Sequence, residues 1–386
     1  MERKITNPYY TYGLLYVSEA LRRWETSQGT RYREYRQAWA QRTSKLDPGD
    51  FPLNLNVEVT NRCNLACTFC PQPTLTPDQL TDMPMELYQA LIEEGARHNT
   101  PAANLNGLGE PMLLRHLPEM IRHAKQKGYI DVMFHTNGTL MTEALAQALI
   151  ETGLDRIIFS VDSPDKQTYE EMRLRSNWER VVSNVRLFWE TRNKMGRSTP
   201  LIRTTMVVTD RTVHQVPDFV LLWKPVADQI TLQDLTWRTK LLEDSRWVNR
   251  EQSAIPIDME AIREEAKRRK ISFVCPYLYQ SSYAYGNGDV IPCSNPNARK
   301  HMVMGRFDQQ GIAAVWKGKS YTELRELHSN GRWDEHPICR DCEIPLIELY
   351  KALDKETALP VASDLAPADG SGADLLMRLQ SERKSP

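Results

Sequence analysis

Residues 53–70 read Leu-Asn-Leu-Asn-Val-Glu-Val-Thr-Asn-Arg-Cys-Asn-Leu-Ala-Cys-Thr-Phe-Cys. Two patterns meet in this stretch. Leu53, Leu55, Val57 and Val59 alternate with Asn54, Asn56, Glu58 and Thr60, the period of a β-strand. Cys63, Cys67 and Cys70 follow at once, in C-x3-C-x2-C spacing. Three thiolates on one short loop can hold three corners of a 4Fe–4S cube. Such clusters ordinarily take four cysteine ligands, so one iron is left for something else to bind. Simple burial and zinc are the alternatives, but zinc favours paired C-x2-C units with Cys or His partners, and no His follows at that spacing.

Outward from this stretch, strand and helix patterns alternate. A helix is expected around Met85 to His98, then a short strand ending in Leu105-Asn106-Gly107-Leu108-Gly109-Glu110-Pro111. A helix near Leu117 to Lys127 precedes the strand Asp131 to His135, which ends in Thr136-Asn137-Gly138. After a helix near Thr142 to Thr152 comes Arg156-Ile157-Ile158-Phe159-Ser160-Val161-Asp162. The strand Ile202 to Val208 follows a helix around Trp178 to Asn193, and Gln229 to Asp234 follows Val213 to Trp223. Six strands alternating with helices predict an α/β fold with a parallel sheet. Such sheets present functional residues at the carboxyl ends of their strands, where the cysteines, Glu110, Asn137, Asp162 and Asp234 fall. In a closed parallel barrel, Asn54, Asn56 and Glu58 of the first strand, and Thr231 and Gln233 of the sixth, would line a polar lumen. The competing arrangement is an open sheet with one wet face.

The chain has seven cysteines, and the remaining four are Cys275, Cys293, Cys339 and Cys342. Four thiolates suit a fully ligated iron–sulfur cluster or a four-cysteine zinc site equally well. Disulfides need an oxidising compartment, and Met1 to Tyr10 has no apolar core of signal-peptide length, so a cytoplasmic protein is expected. Apolar content of 41% and charged content of 26% describe an ordinary globular chain with no run approaching a membrane span. A net charge of −1 gives no global attraction for nucleic acid or an acidic membrane. The basic stretch Arg22 to Lys45, interleaved with Tyr32, Tyr35 and Trp39, reads as an amphipathic helical segment docked on the main domain rather than a base-stacking surface. The organisation expected is an N-terminal helical segment (1–50), the barrel (51–235), a bridge (236–274) with Trp237, Arg238 and Trp247, a cysteine domain (275–350) and a disordered tail (358–386).

Taken together, these motifs resemble the radical S-adenosylmethionine (SAM) enzymes. The cysteine loop, with Phe69 before the third cysteine, resembles that family's signature. Gly109-Glu110-Pro111 is similar to the family segment that holds the SAM amino group, with Leu108 standing where its first glycine would be. Thr136-Asn137-Gly138 and Ser160-Val161-Asp162 resemble its motifs near the ribose, and Arg173 sits where the family often carries an arginine. Cys275, Gly288-Asp289-Val290-Ile291-Pro292-Cys293, Val315-Trp316, Leu324-Arg325 and Cys339-Arg340-Asp341-Cys342 resemble a shortened auxiliary-cluster domain of the SPASM/Twitch group.

The resemblance implies a partial (β/α)6 radical-SAM barrel with a C-terminal Twitch/SPASM-like domain. It also implies two 4Fe–4S clusters, SAM, and a flavodoxin- or ferredoxin-like electron donor. Chemistry would begin when the reduced cluster cleaves SAM and the 5′-deoxyadenosyl radical takes a substrate hydrogen. A fully ligated auxiliary cluster suits electron transfer, and so favours a net two-electron oxidation. The closest precedent in the group oxidises a secondary alcohol of a cyclitol or sugar-like molecule. Asp234, Gln233 and Arg203 are then candidates for proton handling or substrate positioning, of which Asp234 alone is an ordinary base. Three alternatives stand beside this reading: a peptide maturase, an epimerase with a non-cysteine hydrogen donor, and a non-catalytic electron-transfer protein.

Overall fold

Alternating strand and helix patterns place successive strands side by side. The computed structural model describes residues 3–5, 12–235 and 259–353. Its strands are β1 (Arg3–Ile5), β2 (Tyr12–Val17), β3 (Asn54–Glu58), β4 (Ala102–Asn104), β5 (Asp131–Thr136), β6 (Arg156–Ser160), β7 (Leu201–Val208), β8 (Gln229–Asp234), β9 (Ile271–Phe273), β10 (Ser281–Tyr285), β11 (Asp289–Ile291) and β12 (Gly305–Arg306). The main sheet runs β12-β11-β10-β3-β4-β5-β6-β7-β8-β2. From β10 to β8 every neighbouring pair is parallel. The crossovers carry helices α3 (Met85–Arg97), α4 (Leu117–Gln126), α5 (Glu143–Glu151), α6 (Lys166–Met172), α7 (Trp178–Lys194) and α8 (Val216–Trp223), which follow α1 (Glu19–Ser27) and α2 (Thr30–Lys45).

Strands that follow in sequential order with right-handed crossovers put all their helices on one face, which leaves the other face to curl around a lumen. Leu55, Val57, Ala103, Val132, Phe134, Ile157, Phe159, Ile202 and Ile230 point to the helices and form the main core. The register gives the opposite face to Asn56, Asn104 and Met133 in one row, and to His135, Ile158, Arg203 and Gln229 in the next. Ile158 is fully buried yet absent from the helix-side core, as an inward residue must be.

The amino ends of the strands are stoppered by the N-terminal helices. Trp24, Tyr32 and Tyr35 pack edge to face and cover Leu53, Ala102 and Leu201. Arg156 donates to the Tyr32 hydroxyl at 2.8 Å and pairs with Asp131 at 3.0 Å. α1 and α2 dock here, and the N-terminal region also contributes strands. β2 adds an antiparallel edge to β8, and β1 pairs with β9. Strand periodicity is hard to see in segments this short.

The C-terminal cysteine region is built onto the same sheet. β10 lies parallel to β3, and Tyr283 pairs with Asn56. Glu94 of α3 accepts backbone N–H bonds from Ile312 and Ala313, both at 2.9 Å, and so fixes the helix that carries Val315 and Trp316. Of the expected bridge, α9 (Met259–Arg268) and β9 are described, whereas Trp237, Arg238 and Trp247 lie outside the described residues, as does the 358–386 tail.

Candidate functional site

The cysteine loop leaves the carboxyl end of β3 and is tied down on both sides. Buried Asn61 braces its start: the amide donates to Gln79 O at 2.8 Å and the side-chain oxygen accepts from Thr81 N at 2.7 Å. Further along, Ala66 N donates to Leu174 O and Thr68 N to Met172 O, which press the loop against the end of α6. All three thiols are partly buried. Burial, tempered by Arg173, pushes the Cys67 thiol up to about 11, and burial with the neighbouring thiols pushes Cys70 up to about 12.

Gly109-Glu110 sits directly against this loop. Glu110 N donates to Arg62 O at 2.8 Å, and a Cβ on Gly109 would fall 2.3 Å from Thr60 O. Only glycine allows that approach. The buried Glu110 carboxylate accepts from Met112 N (3.1 Å), Thr136 Oγ1 (2.8 Å) and Asn137 N (2.7 Å). Burial outweighs these bonds and raises its pKa to about 7. The Asn137 amide donates to Asn64 Oδ1 at 2.9 Å, and Asn64 donates to Thr139 Oγ1 at 2.8 Å. Asn64, between the first two cysteines, thus ties the loop to the end of β5. It was not among the sequence-derived candidates; its place inside the cysteine spacing was the available signal.

Arg173 forms a second brace. Its Nε donates to Asp162 Oδ2 at 2.6 Å, an Nη lies 3.8 Å from Cys67 Sγ, and its guanidinium sits 5.7 Å from the Phe69 ring centroid. The other Asp162 oxygen accepts from Val207 N at 2.9 Å, and the side chain is fully enclosed. Asp162 was expected near the ribose; in the structure both its oxygens accept bonds from protein, one from Arg173 and one from Val207 N. Ser160, one residue off the end of β6's apolar run, remains partly exposed toward the lumen.

Of the expected substrate residues, Arg203 faces the lumen and donates to Gln229 Oε1 at 2.6 Å. Gln233 lies two inward steps further along β8 and pairs across to Val207. Asp234 ends β8, and its side chain lies outside the described residues. Glu58 is buried at the end of β3. It accepts from Leu108 N at 3.1 Å through one oxygen and from Arg299 at 2.6 Å through the other. Sequence periodicity placed it inward but gave no sign of its partner from the C-terminal region.

The four remaining cysteines come from the end of β9, the turn after β11 and the short helix Pro337–Arg340 with its following turn. They lie close enough to interact: Cys275 is raised by burial and then by Cys293 and Cys342, and Cys339 by burial and then by the other three. Phe273, Trp333, Ile344 and Leu346 wall this group on one side. His328 Nδ1 accepts from Cys275 N at 3.4 Å.

Both sets fit iron–sulfur clusters in donor chemistry, since burial makes each bare thiolate costly and a cationic core relieves that cost. Among the described residues no three His, Cys, Asp or Glu side chains converge on a single-ion position.

A sequentially ordered parallel half-barrel, a three-cysteine loop at its mouth and a four-cysteine C-terminal region match the arrangement that the radical SAM resemblance implies. Comparison agrees: residues 57–216 match the Radical SAM superfamily, and residues 275–343 match SPASM, an iron–sulfur cluster-binding domain. The pairing of a Radical SAM superfamily match with a SPASM match implies SAM and iron–sulfur clusters. The chain is 26% identical to a PqqA peptide cyclase of Xanthomonas axonopodis pv. citri over 82% of this chain and 87% of the relative. It is 24% identical to a tungsten-containing aldehyde ferredoxin oxidoreductase cofactor-modifying protein of Pyrococcus furiosus, over 75% and 87% respectively. Among solved structures, SuiB of Streptococcus suis superposes with a TM-score of 0.56 at 15% identity, covering 86% of this chain and 81% of that one, a likeness of fold. No helix among the described residues is long and apolar enough to cross a membrane.

Proposed function

We propose that this chain is a radical SAM oxidoreductase that takes a hydrogen from a secondary alcohol of a sugar-, cyclitol- or aminoglycoside-like small molecule and completes a two-electron oxidation. In this reading Cys63, Cys67 and Cys70 hold a SAM-binding 4Fe–4S cluster, and Cys275, Cys293, Cys339 and Cys342 hold a second. When bound, SAM and a reduced cluster would supply the radical chemistry that takes the hydrogen atom, and a cluster on the second cysteine set would supply the acceptor for the remaining electron. Glu110 receives the SAM ammonium through a charge-assisted hydrogen bond, Asn137 and Ser160 face the nucleoside, and Arg173 holds the loop at Cys67. Gln233 at the carboxyl end of β8 and Arg203 nearer the amino end of β7 position the alcohol, and Asp234, the last residue of β8, takes its proton.

The observation that carries this reading is the gathering of four partly buried, mutually interacting thiols in the region that β10 joins to the barrel sheet. Full ligation by protein leaves no open iron for substrate and favours electron transfer. It also uses every thiol, which removes the usual donor for an epimerase. The test is anaerobic incubation with SAM, dithionite and a carbon-deuterated polyol. Deuterium in 5′-deoxyadenosine and a product lighter by two hydrogens support oxidation; an unchanged mass in unlabelled substrate overturns it. Iron analysis should give about eight irons per chain; about four irons with zinc would remove the electron acceptor.

A second reading, peptide maturation, is favoured by the 26% identity to a PqqA peptide cyclase. Label arriving from a peptide alone would establish it.

A further inference from the structure

The lumen face of the last three barrel strands holds hydroxyls that the protein leaves unmatched. β6, β7 and β8 align Ser160, Thr205 and Thr231 in one inward row, just beyond the row of Ile158, Arg203 and Gln229. Thr205 and Thr231 are each 2% exposed, and neither hydroxyl has a hydrogen-bond partner in the protein. Across the lumen the Asn104 side-chain oxygen is also unmatched, although its amide donates to Asn56.

Leaving a buried hydroxyl unpaired costs about 1–3 kcal/mol. Valine fits a parallel strand at least as well as threonine; helix-facing Thr204 shows that the fold tolerates one such hydroxyl, but a side-by-side pair on the lumen face asks for a partner from outside the chain. Neighbouring strands lie about 4.8 Å apart, a span that ring hydroxyls bridge and an aliphatic or phenyl side chain does not satisfy. Beneath the pair stand the Arg203–Gln229 couple and His135, which burial and the nearby Arg203 charge keep neutral, so that it can accept as well as donate.

We infer that Thr205 and Thr231, beside Ser160, form a substrate subsite for a polyhydroxylated six-membered ring, each threonine pairing with one ring hydroxyl. The inference rests on the small-molecule reading above and deepens it. It gives the substrate's chemical class and two specificity-determining residues.

The test measures binding rather than turnover, with the full cluster-loaded, SAM-bound chain held oxidised. The probes are myo-inositol, glucose, cyclohexanol and the tripeptide Gly-Tyr-Gly. Thr205→Val and Thr231→Val should each weaken myo-inositol or glucose binding by about tenfold. Melting temperature and SAM affinity should not fall, because an unpartnered hydroxyl contributes nothing to the fold. Thr204→Val is the matched control, since Thr204 is buried and unpartnered on the helix-facing side of the same strand. It should leave polyol binding unchanged. The inference is overturned if both inward variants bind the polyols like the parent chain, if neither polyol binds, or if cyclohexanol or the tripeptide binds more tightly than both. Threonine-dependent polyol binding without loss of two hydrogens in the oxidation assay would sink the dehydrogenase reading and leave the subsite standing. Oxidation that ignores both threonines would do the reverse.

Discussion

The two cysteine sites solve one problem in opposite ways. Cys63, Cys67 and Cys70 share one loop, and polar braces hold it: Asn61 at its start, Asn64 to Asn137, and Arg173 beside Cys67. The C-terminal four come from separate elements, and apolar walls including Phe273 and Trp333 hold them. A polar frame suits a site that must admit a charged ligand. A dry wall suits a site whose ligands are all protein. Under the proposed function, the first region would admit small molecules and the second would contain charge.

The sharpest way to break this comparison is one cysteine on each side. Cys67→Ala should reduce 5′-deoxyadenosine formation to background, while Cys339→Ala should keep it and lose oxidised product. Each should remove about half the iron, and equal effects on 5′-deoxyadenosine would erase the distinction. Next in size is Arg299→Ala, which leaves the buried Glu58 carboxylate without its cation. Breaking a buried pair from one side costs about 3 kcal/mol; chemical denaturation should show that loss, and Arg299→Lys should recover most of it.

Glu110→Gln keeps the shape of the side chain but gives up its charge. SAM affinity should fall by about 10–100-fold, as expected for losing a charged hydrogen bond, and melting temperature should fall as well, because the Gln amide nitrogen must face the N–H of Met112 or Asn137. Titration calorimetry on the cluster-loaded protein measures both the variant and the smallest effect, pH. Glu110 has a pKa of about 7 in the folded chain, well above its ordinary value, because it is buried. The carboxylate that pairs with the ammonium is therefore present above pH 7 and lost as pH falls through 7. SAM affinity should be flat above that point and drop about tenfold per unit below it. The protein without SAM moves the other way: its stability should rise as pH falls from 7 towards the unfolded value, since folding then takes up a proton.

Much of this was legible from local pattern. Period-two alternation found β3 and placed Asn56, Glu58 and Thr231 on the inward face, because a strand's faces are fixed by its own residues. The loop cysteines and Gly109-Glu110 were legible because their partners lie within a few residues of a strand end. What encloses Asp162, namely Arg173 and the backbone of Val207, comes from other elements and was not legible in the sequence. β2 was missed since a six-residue edge strand takes its stability from β8 rather than from its own sequence. Glu58–Arg299 and the unmatched Thr205 and Thr231 hydroxyls were out of reach for the same reason. Each is a relation between distant residues, and a strand's residues do not announce which neighbour they will meet.

The seating of β10 beside β3 sets a timetable for the growing chain. β3 is flanked by β4 on one side, and only β10 closes the other. Until the ribosome has passed Tyr285, the strand that launches the first cysteine loop is therefore an open edge, with one row of backbone N–H and C=O groups unpaired. Open edges invite pairing with other chains. Nascent chains stalled before β10 should be the aggregating species in an expression time course, and amide exchange along β3 should slow only once residues 281–285 have been made.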